Sequence, residues 1–221
     1  MHGWPASRLV LPGLGLACLG LLIGGLAVGV ALGGVMPLPY GPASAVVAYV
    51  RAEPVAAHVI ATATFASSAP LAIYAATVSA RLRQLGVAAP VAAIALTGGV
   101  LAAGSLGLAA LMGWPLSRSE IGADAALARA LYLLVFLVGG PGHITALGLL
   151  VACIAAPGRT LRLMPRPLAW TGLAIATLAE LAPLVLIWPQ MAVILPVARI
   201  SALVWLVAAG APVGGAQRTA H

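Results

Sequence analysis

Two ionisable residues of opposite charge lie inside the longest apolar stretch of the chain, 168–210. Glu180 comes ten residues before a turn expected around Pro189 and Gln190, and Arg199 comes nine or ten residues after it. In an antiparallel helical hairpin both residues then fall at about the same depth, roughly 12–15 Å below the outer membrane interface. Because ionised groups at this depth are costly and tend to pair, we expect a Glu180–Arg199 ion pair.

The expected pair has three interpretations, which the sequence leaves open. As a structural feature, it neutralises two costly charges and fixes the register of two helices. As a functional feature, Arg199 holds an anionic ligand, or the pair opens during a transport or proton-transfer cycle. In the third interpretation, Arg199 extends outward along the helix surface toward Asp124 or Glu120.

His143 follows a sequence that disfavours a regular helix, Gly139-Gly140-Pro141-Gly142. Pro141 removes a backbone hydrogen bond, and the glycines are poor helix formers. The pattern predicts a kink or an unwound turn that exposes backbone carbonyls beside the imidazole, as in the binding sites of many transporters. The alternative is a kink that neighbouring helices satisfy.

No cofactor or metal is expected. A haem held by His58 and His143 is conceivable, but His143 should lie about 10 Å deeper in the membrane than His58. The two cysteines, Cys18 and Cys153, lie in apolar runs, and no Cys/His metal spacing is present.

No catalytic motif is present, and the whole chain has four carboxylates. A membrane enzyme would need two convergent acid–base groups, for which only His143 and Glu180 are available. The sequence therefore favours a non-enzymatic protein.

The composition identifies the solvent of the protein as lipid. The 221 residues are 62% hydrophobic and 7% charged, whereas soluble domains are about a quarter charged. At roughly 20 apolar residues per span, this predicts one integral membrane domain, an all-α bundle of six transmembrane helices. The predicted spans are 9–36, 54–80, 89–114, 127–155, 168–188 and 191–210, with an interfacial segment at 41–53.

The arginines predict the orientation, since the chain has no lysine and a net charge of +7. Seven arginines are expected on one side of the membrane, and three on the other side, beside three carboxylates. The positive-inside rule then places both termini in the cytoplasm, and the richness in Ala, Gly and Pro indicates a bacterial plasma (inner) membrane. Because the arginines lie in short loops, we expect no nucleic-acid binding. The first apolar run is too long for a signal peptide, so we expect an uncleaved first helix. The arginines on the cytoplasmic side are Arg8, Arg81, Arg83, Arg159, Arg162, Arg166 and Arg218.

Glycines recur on the first and third predicted helices, where they allow close helix packing in lipid. The sequence is compatible with packing inside one bundle, and also with a homo-oligomer or a partner membrane subunit on these faces. The glycines concerned are Gly20, Gly24, Gly25, Gly29 and Gly33 on the first helix and Gly98, Gly99, Gly104 and Gly107 on the third.

The second half of the chain resembles a family of small bacterial membrane proteins grouped as domain of unknown function 4386. The resemblance lies in Pro165-Arg166-Pro167-Leu168-Ala169-Trp170-Thr171-Gly172 and in Leu203-Val204-Trp205-Leu206-Val207-Ala208-Ala209-Gly210, within about the last 90 residues. It implies a multi-helix membrane protein without an assigned activity, so no functional residues are transferred.

Two functions follow as expectations. The first is a small-molecule or ion carrier that uses Glu180, Arg199 and the helix break from Pro141 to His143. The second is a non-catalytic structural or regulatory subunit, in which the same residues only fix the packing. A carrier needs a water-accessible polar cavity at these residues, whereas a packing protein needs them dry and mutually satisfied.

Overall fold

The computed structural model describes residues 7–216, and within this range it is helical, without a strand. Six helical segments are long and apolar enough to cross a membrane, which confirms the predicted all-α bundle of six spans. Arg218 lies outside the described residues. The six segments are Leu9–Gly33, Pro54–Gln84, Ala89–Ser117, Ala125–Thr160, Arg166–Leu186 and Pro189–Gly215.

Nine α-helices are present in the described part of the chain. A π-helical turn, Val138–Gly142, joins α6 to α7, and 3₁₀ turns lie at Trp114–Ser117, Ala182–Leu186 and Pro189–Val193. The short helix α2 lies within the predicted interfacial segment. The helices are α1 (Ser7–Gly33), α2 (Ala43–Ala52), α3 (Pro54–Gln84), α4 (Ala89–Gly113), α5 (Ser119–Ala123), α6 (Ala125–Leu137), α7 (His143–Thr160), α8 (Arg166–Glu180) and α9 (Ile194–Gly215).

The helix ends follow from local sequence. Pro54 and Pro90 occupy the first turns of α3 and α4, where the missing N–H would have no helical partner in any case. Gly34 and Gly86 follow α1 and α3 with φ of 73° and 86°, a conformation that favours glycine. Asp124 caps α6 by accepting hydrogen bonds from two backbone N–H groups at 3.0 and 3.1 Å.

The fourth span, formed by α6, the π turn and α7, is the most buried of the six. Its α7 half packs against α4 on one side and α8 on the other, while α1 contacts α3 and α9. A continuous apolar core runs through these contacts. Within it, the hydroxyl of Tyr74 on α3 donates to the carbonyl of Leu206 on α9 over 2.8 Å.

The glycines of α1 divide into two faces. A Cβ at Gly25 or Gly29 would collide with Ala63 or Ile60 of α3, so these glycines permit close packing inside the bundle. Gly24, in contrast, has no neighbouring atom within 4 Å of the position of a Cβ, and the same is true of Gly20. Association with a second protein through that open face stays a prediction.

Candidate functional site

The helix break predicted before His143 is a single wide turn. Residues 138–142 are π-helical, and the N–H of His143 bonds to the carbonyl of Val138, five residues earlier. Pro141 has no N–H to give, and the wider turn accommodates its ring where an α-turn would clash. The backbone stays helical through Gly142, at φ −61° and ψ −48°, so the chain widens here without unwinding.

Arg199 reaches this turn from α9. Its Nη2 donates a hydrogen bond to the carbonyl oxygen of Gly139. Nε of the same side chain is buried and has no hydrogen-bond partner within residues 7–216. The guanidinium is therefore only partly satisfied by the protein.

His143 lies one turn beyond Gly139 on the same helical span and is fully buried. Its Nδ1 lies 2.9 Å from the carbonyl oxygen of Ala102 on α4. A carbonyl oxygen only accepts, so Nδ1 carries the proton, and Nε2 of the neutral ring is an acceptor. Nε2 is buried and has no hydrogen-bond partner in the described part of the chain.

These groups form one cluster, which we call the polar site: the Gly139 carbonyl, the His143 imidazole and the Arg199 guanidinium. His143 directly follows the π turn that contains Gly139, and Arg199 bonds to that turn, so the charge of the guanidinium acts on the imidazole. The polar site thus contains a free donor, Nε–H of Arg199, and a free acceptor, Nε2 of His143.

Glu180 is not a partner of Arg199, and in this respect the expected ion pair is wrong for this structure. Its Oε1 lies against α7, 2.8 Å from where a Cβ of Gly148 would be. Gly148 follows Gly139 by nine residues, so the two contacts are about 13 Å apart along the helix axis. The carboxyl group is also separated from His143, so the two acid–base candidates lie at different levels of α7.

The direction of the side chains explains why equal depth does not produce a pair. Side chains on an α-helix tilt toward the N-terminus of their own helix. Since α8 and α9 run in opposite directions, Glu180 tilts toward one membrane surface and Arg199 toward the other. The third interpretation, in which Arg199 extends outward, has the direction right, but its partner is the Gly139 carbonyl rather than Asp124 or Glu120.

The helix carrying Glu180 also ends earlier than predicted. Glu180 is the last residue of α8, and a 3₁₀ turn follows at Ala182–Leu186. Pro183 explains this end, because in a regular α-helix its ring would clash with the carbonyl of Ala179. A proline also disfavours the helical conformation of the residue before it. The predicted helix 168–188 is therefore a shorter α-helix extended by a 3₁₀ turn.

His58 lies away from the polar site. Its side chain is exposed near the start of α3, and its ring centroid is 6.2 Å from that of Trp114, with the rings tilted by 57°. His143 instead contacts Ala102, so the two histidines do not face each other. Between Ser7 and Ala216, no three His, Cys, Asp or Glu side chains converge as metal ligands would.

The sequence predicts backbone carbonyls exposed beside His143, but it does not indicate which of them Arg199 reaches, nor the contact of His143 with the Ala102 carbonyl. Backbone acceptors are present at every residue, so no residue type marks them. The tilt of Arg199 toward the start of α9 was the available signal, because it directs the guanidinium to the level of the helix break.

Comparison of the chain with protein-family models, with curated proteins and with solved structures finds no match. The resemblance to domain of unknown function 4386 stays a prediction. The six apolar helices define the class, a multi-pass membrane protein, and any narrower function has to be argued from the polar site.

Proposed function

We propose that the protein is a membrane carrier of a small oxyacid, which binds at the polar site in the fourth span. The observation that carries this proposal is that two atoms of the polar site, Nε of Arg199 and Nε2 of His143, are buried and have no hydrogen-bond partner within residues 7–216. Leaving a buried donor or acceptor unpaired costs about 1–3 kcal/mol. A protein that only needed these residues for packing would gain by satisfying them.

The ligand class follows from the roles of the two atoms. Arg199 offers an N–H and a positive charge, and His143 offers an acceptor. A carboxylic or phosphoric acid with one remaining O–H can accept from the first and donate to the second. The π turn itself is buried in protein, a place where irregular backbone at membrane depth is tolerated.

Removal of the guanidinium should remove the bound solute. Native mass spectrometry of the mildly extracted protein should show a small-molecule adduct in the wild type, reduced about tenfold or more in Arg199→Gln, because a charge-assisted contact is lost. Glutamine keeps an N–H donor without the charge, which favours folding of the variant. Arg129→Gln is the matched control, since Arg129 is exposed on α6, and its adduct should equal that of the wild type.

Equal adducts in all three proteins, or a bare wild-type protein, would contradict the carrier. A protein partner retained in all three would instead support the second candidate function, a non-catalytic structural or regulatory subunit.

A specific observation favours that candidate: α1 presents a row of exposed small residues at helical spacing, which suits a partner helix in lipid. The row consists of Gly13, Ala17, Gly20, Gly24, Ala27 and Ala31.

We further propose that both termini lie in the cytoplasm of a bacterial inner membrane. The end of α3 and the connection from α7 to α8 share one end of the bundle and carry arginines without carboxylates. These arginines are Arg81, Arg83, Arg159, Arg162 and Arg166. A green fluorescent protein fused after His221 should fluoresce, and alkaline phosphatase fused there should be inactive. The opposite pattern would reverse the orientation.

A further inference from the structure

A second polar feature lies at the end of the bundle opposite these arginines. A cavity of about 580 Å³ opens between the end of α2, the start of α3 and the segment around α5. Its volume falls within the range of small-molecule sites. We call it the interfacial pocket. Its charged lining residues are Arg51, Arg118 and Glu120.

Arg51 is held in place by the backbone of the facing segment. Its Nε donates to the carbonyl of Gly122 over 2.6 Å, and its Nη2 donates to the carbonyl of Ala123 over 3.1 Å. A guanidinium has five N–H donors, so Nη1 and one N–H of Nη2 remain available. The fixed orientation lowers the entropy that binding of an anion would cost.

Arg118 is positioned by an aromatic ring. Its guanidinium carbon lies 4.3 Å from the ring centroid of Trp114, a cation–π contact. Within residues 7–216, the guanidinium of Arg118 makes no hydrogen bond. Its N–H groups are therefore free for a ligand. Two guanidinium groups that line one cavity are suited to a phosphate, which both can approach.

Glu120 restricts which phosphate fits. A carboxylate on the same pocket repels a simple anion but attracts a cationic group carried by the ligand. We infer that the interfacial pocket binds a phosphate with a short aminoalkyl arm, the phosphate lying on Arg51 and Arg118 and the ammonium group on Glu120. The exposed Trp114 beside the pocket is typical of the membrane interface. An aminoalkyl phosphate is present there in zwitterionic lipid headgroups, and the same group forms soluble phosphoethanolamine.

Binding of defined lipids tests this inference. The delipidated full-length protein in detergent would be titrated separately with phosphatidylethanolamine, phosphatidylglycerol and soluble phosphoethanolamine, and followed by native mass spectrometry. The wild type should bind phosphatidylethanolamine in preference to phosphatidylglycerol. Arg118→Gln should weaken phosphatidylethanolamine binding about tenfold through the lost charge-assisted contact. Glu120→Gln should remove the preference, because phosphatidylglycerol has no ammonium group.

Arg129→Gln again serves as the control and should bind like the wild type. All the substituted residues are exposed, so the thermal unfolding of the variants should match that of the wild type, and Glu120→Gln provides a separate test if Arg118→Gln unfolds early. Binding of the lipid alone identifies a headgroup site, whereas binding of soluble phosphoethanolamine as well identifies a site for the free solute. Equal binding of both lipids by the wild type, or unchanged binding in Arg118→Gln, would overturn the inference.

Discussion

Replacement of Gly98 by leucine is expected to abolish assembly of α4 with α7 and to lower the yield of folded protein about tenfold or more. A Cβ at this position would lie 2.9 Å from the carbonyl oxygen of Ala146, 2.9 Å from Cβ of Leu149 and 3.0 Å from the backbone nitrogen of Leu150. Two of these atoms belong to the backbone and cannot move without displacing α7. Overpacking of this kind costs about 1–3 kcal/mol for small insertions and more for a whole side chain.

Gly104→Leu is the matched control on the same helix. No atom lies within 4 Å of the position of a Cβ at Gly104, so the added side chain faces outward and the free energy of unfolding should change by less than about 1 kcal/mol. The free energy of unfolding of both variants would be measured by titration of sodium dodecyl sulfate into mixed micelles. The yield of monodisperse protein would be compared as well. Similar losses in the two variants would show that α4 and α7 do not pack as described.

The different roles of these two glycines could not be read from the sequence. In a soluble helix, polar residues mark the outer face. In a membrane helix both the core and the lipid are apolar, so hydropathy predicts that α4 spans but not which of its faces is buried. The number of spans was predictable, because it depends only on the lengths of the apolar stretches.

The polar site was predictable in its residue types but not in its contacts. Costly groups at membrane depth direct attention to Glu180, Arg199 and His143, and Pro141 indicates the helix break. Depth alone then pairs Glu180 with Arg199, whereas the opposed tilt of side chains on antiparallel helices separates them. Pro183, which ends α8 after Glu180, is recognisable in the sequence as a helix-ending residue.

Reversing the charge of Arg199 is expected to destabilise the protein by about 3 kcal/mol. In Arg199→Glu, a carboxyl group replaces the donor that bonds the Gly139 carbonyl, and a buried charge without a partner costs about 3–5 kcal/mol. Arg129→Glu, at an exposed position on α6, should cost less than about 1 kcal/mol. The free energies of unfolding would be measured by titration of sodium dodecyl sulfate into mixed micelles.

The double variant Arg199→Glu with Glu180→Arg distinguishes the observed contacts from an ion pair. If the two side chains were paired, exchanging their charges would recover most of the lost stability. Because Glu180 lies against Gly148 while Arg199 reaches Gly139, we expect no recovery, with the two effects additive to within about 0.5 kcal/mol. Recovery of more than half of the loss would mean that the pair forms, and Arg199 would then have a charged partner instead of a free donor for a ligand.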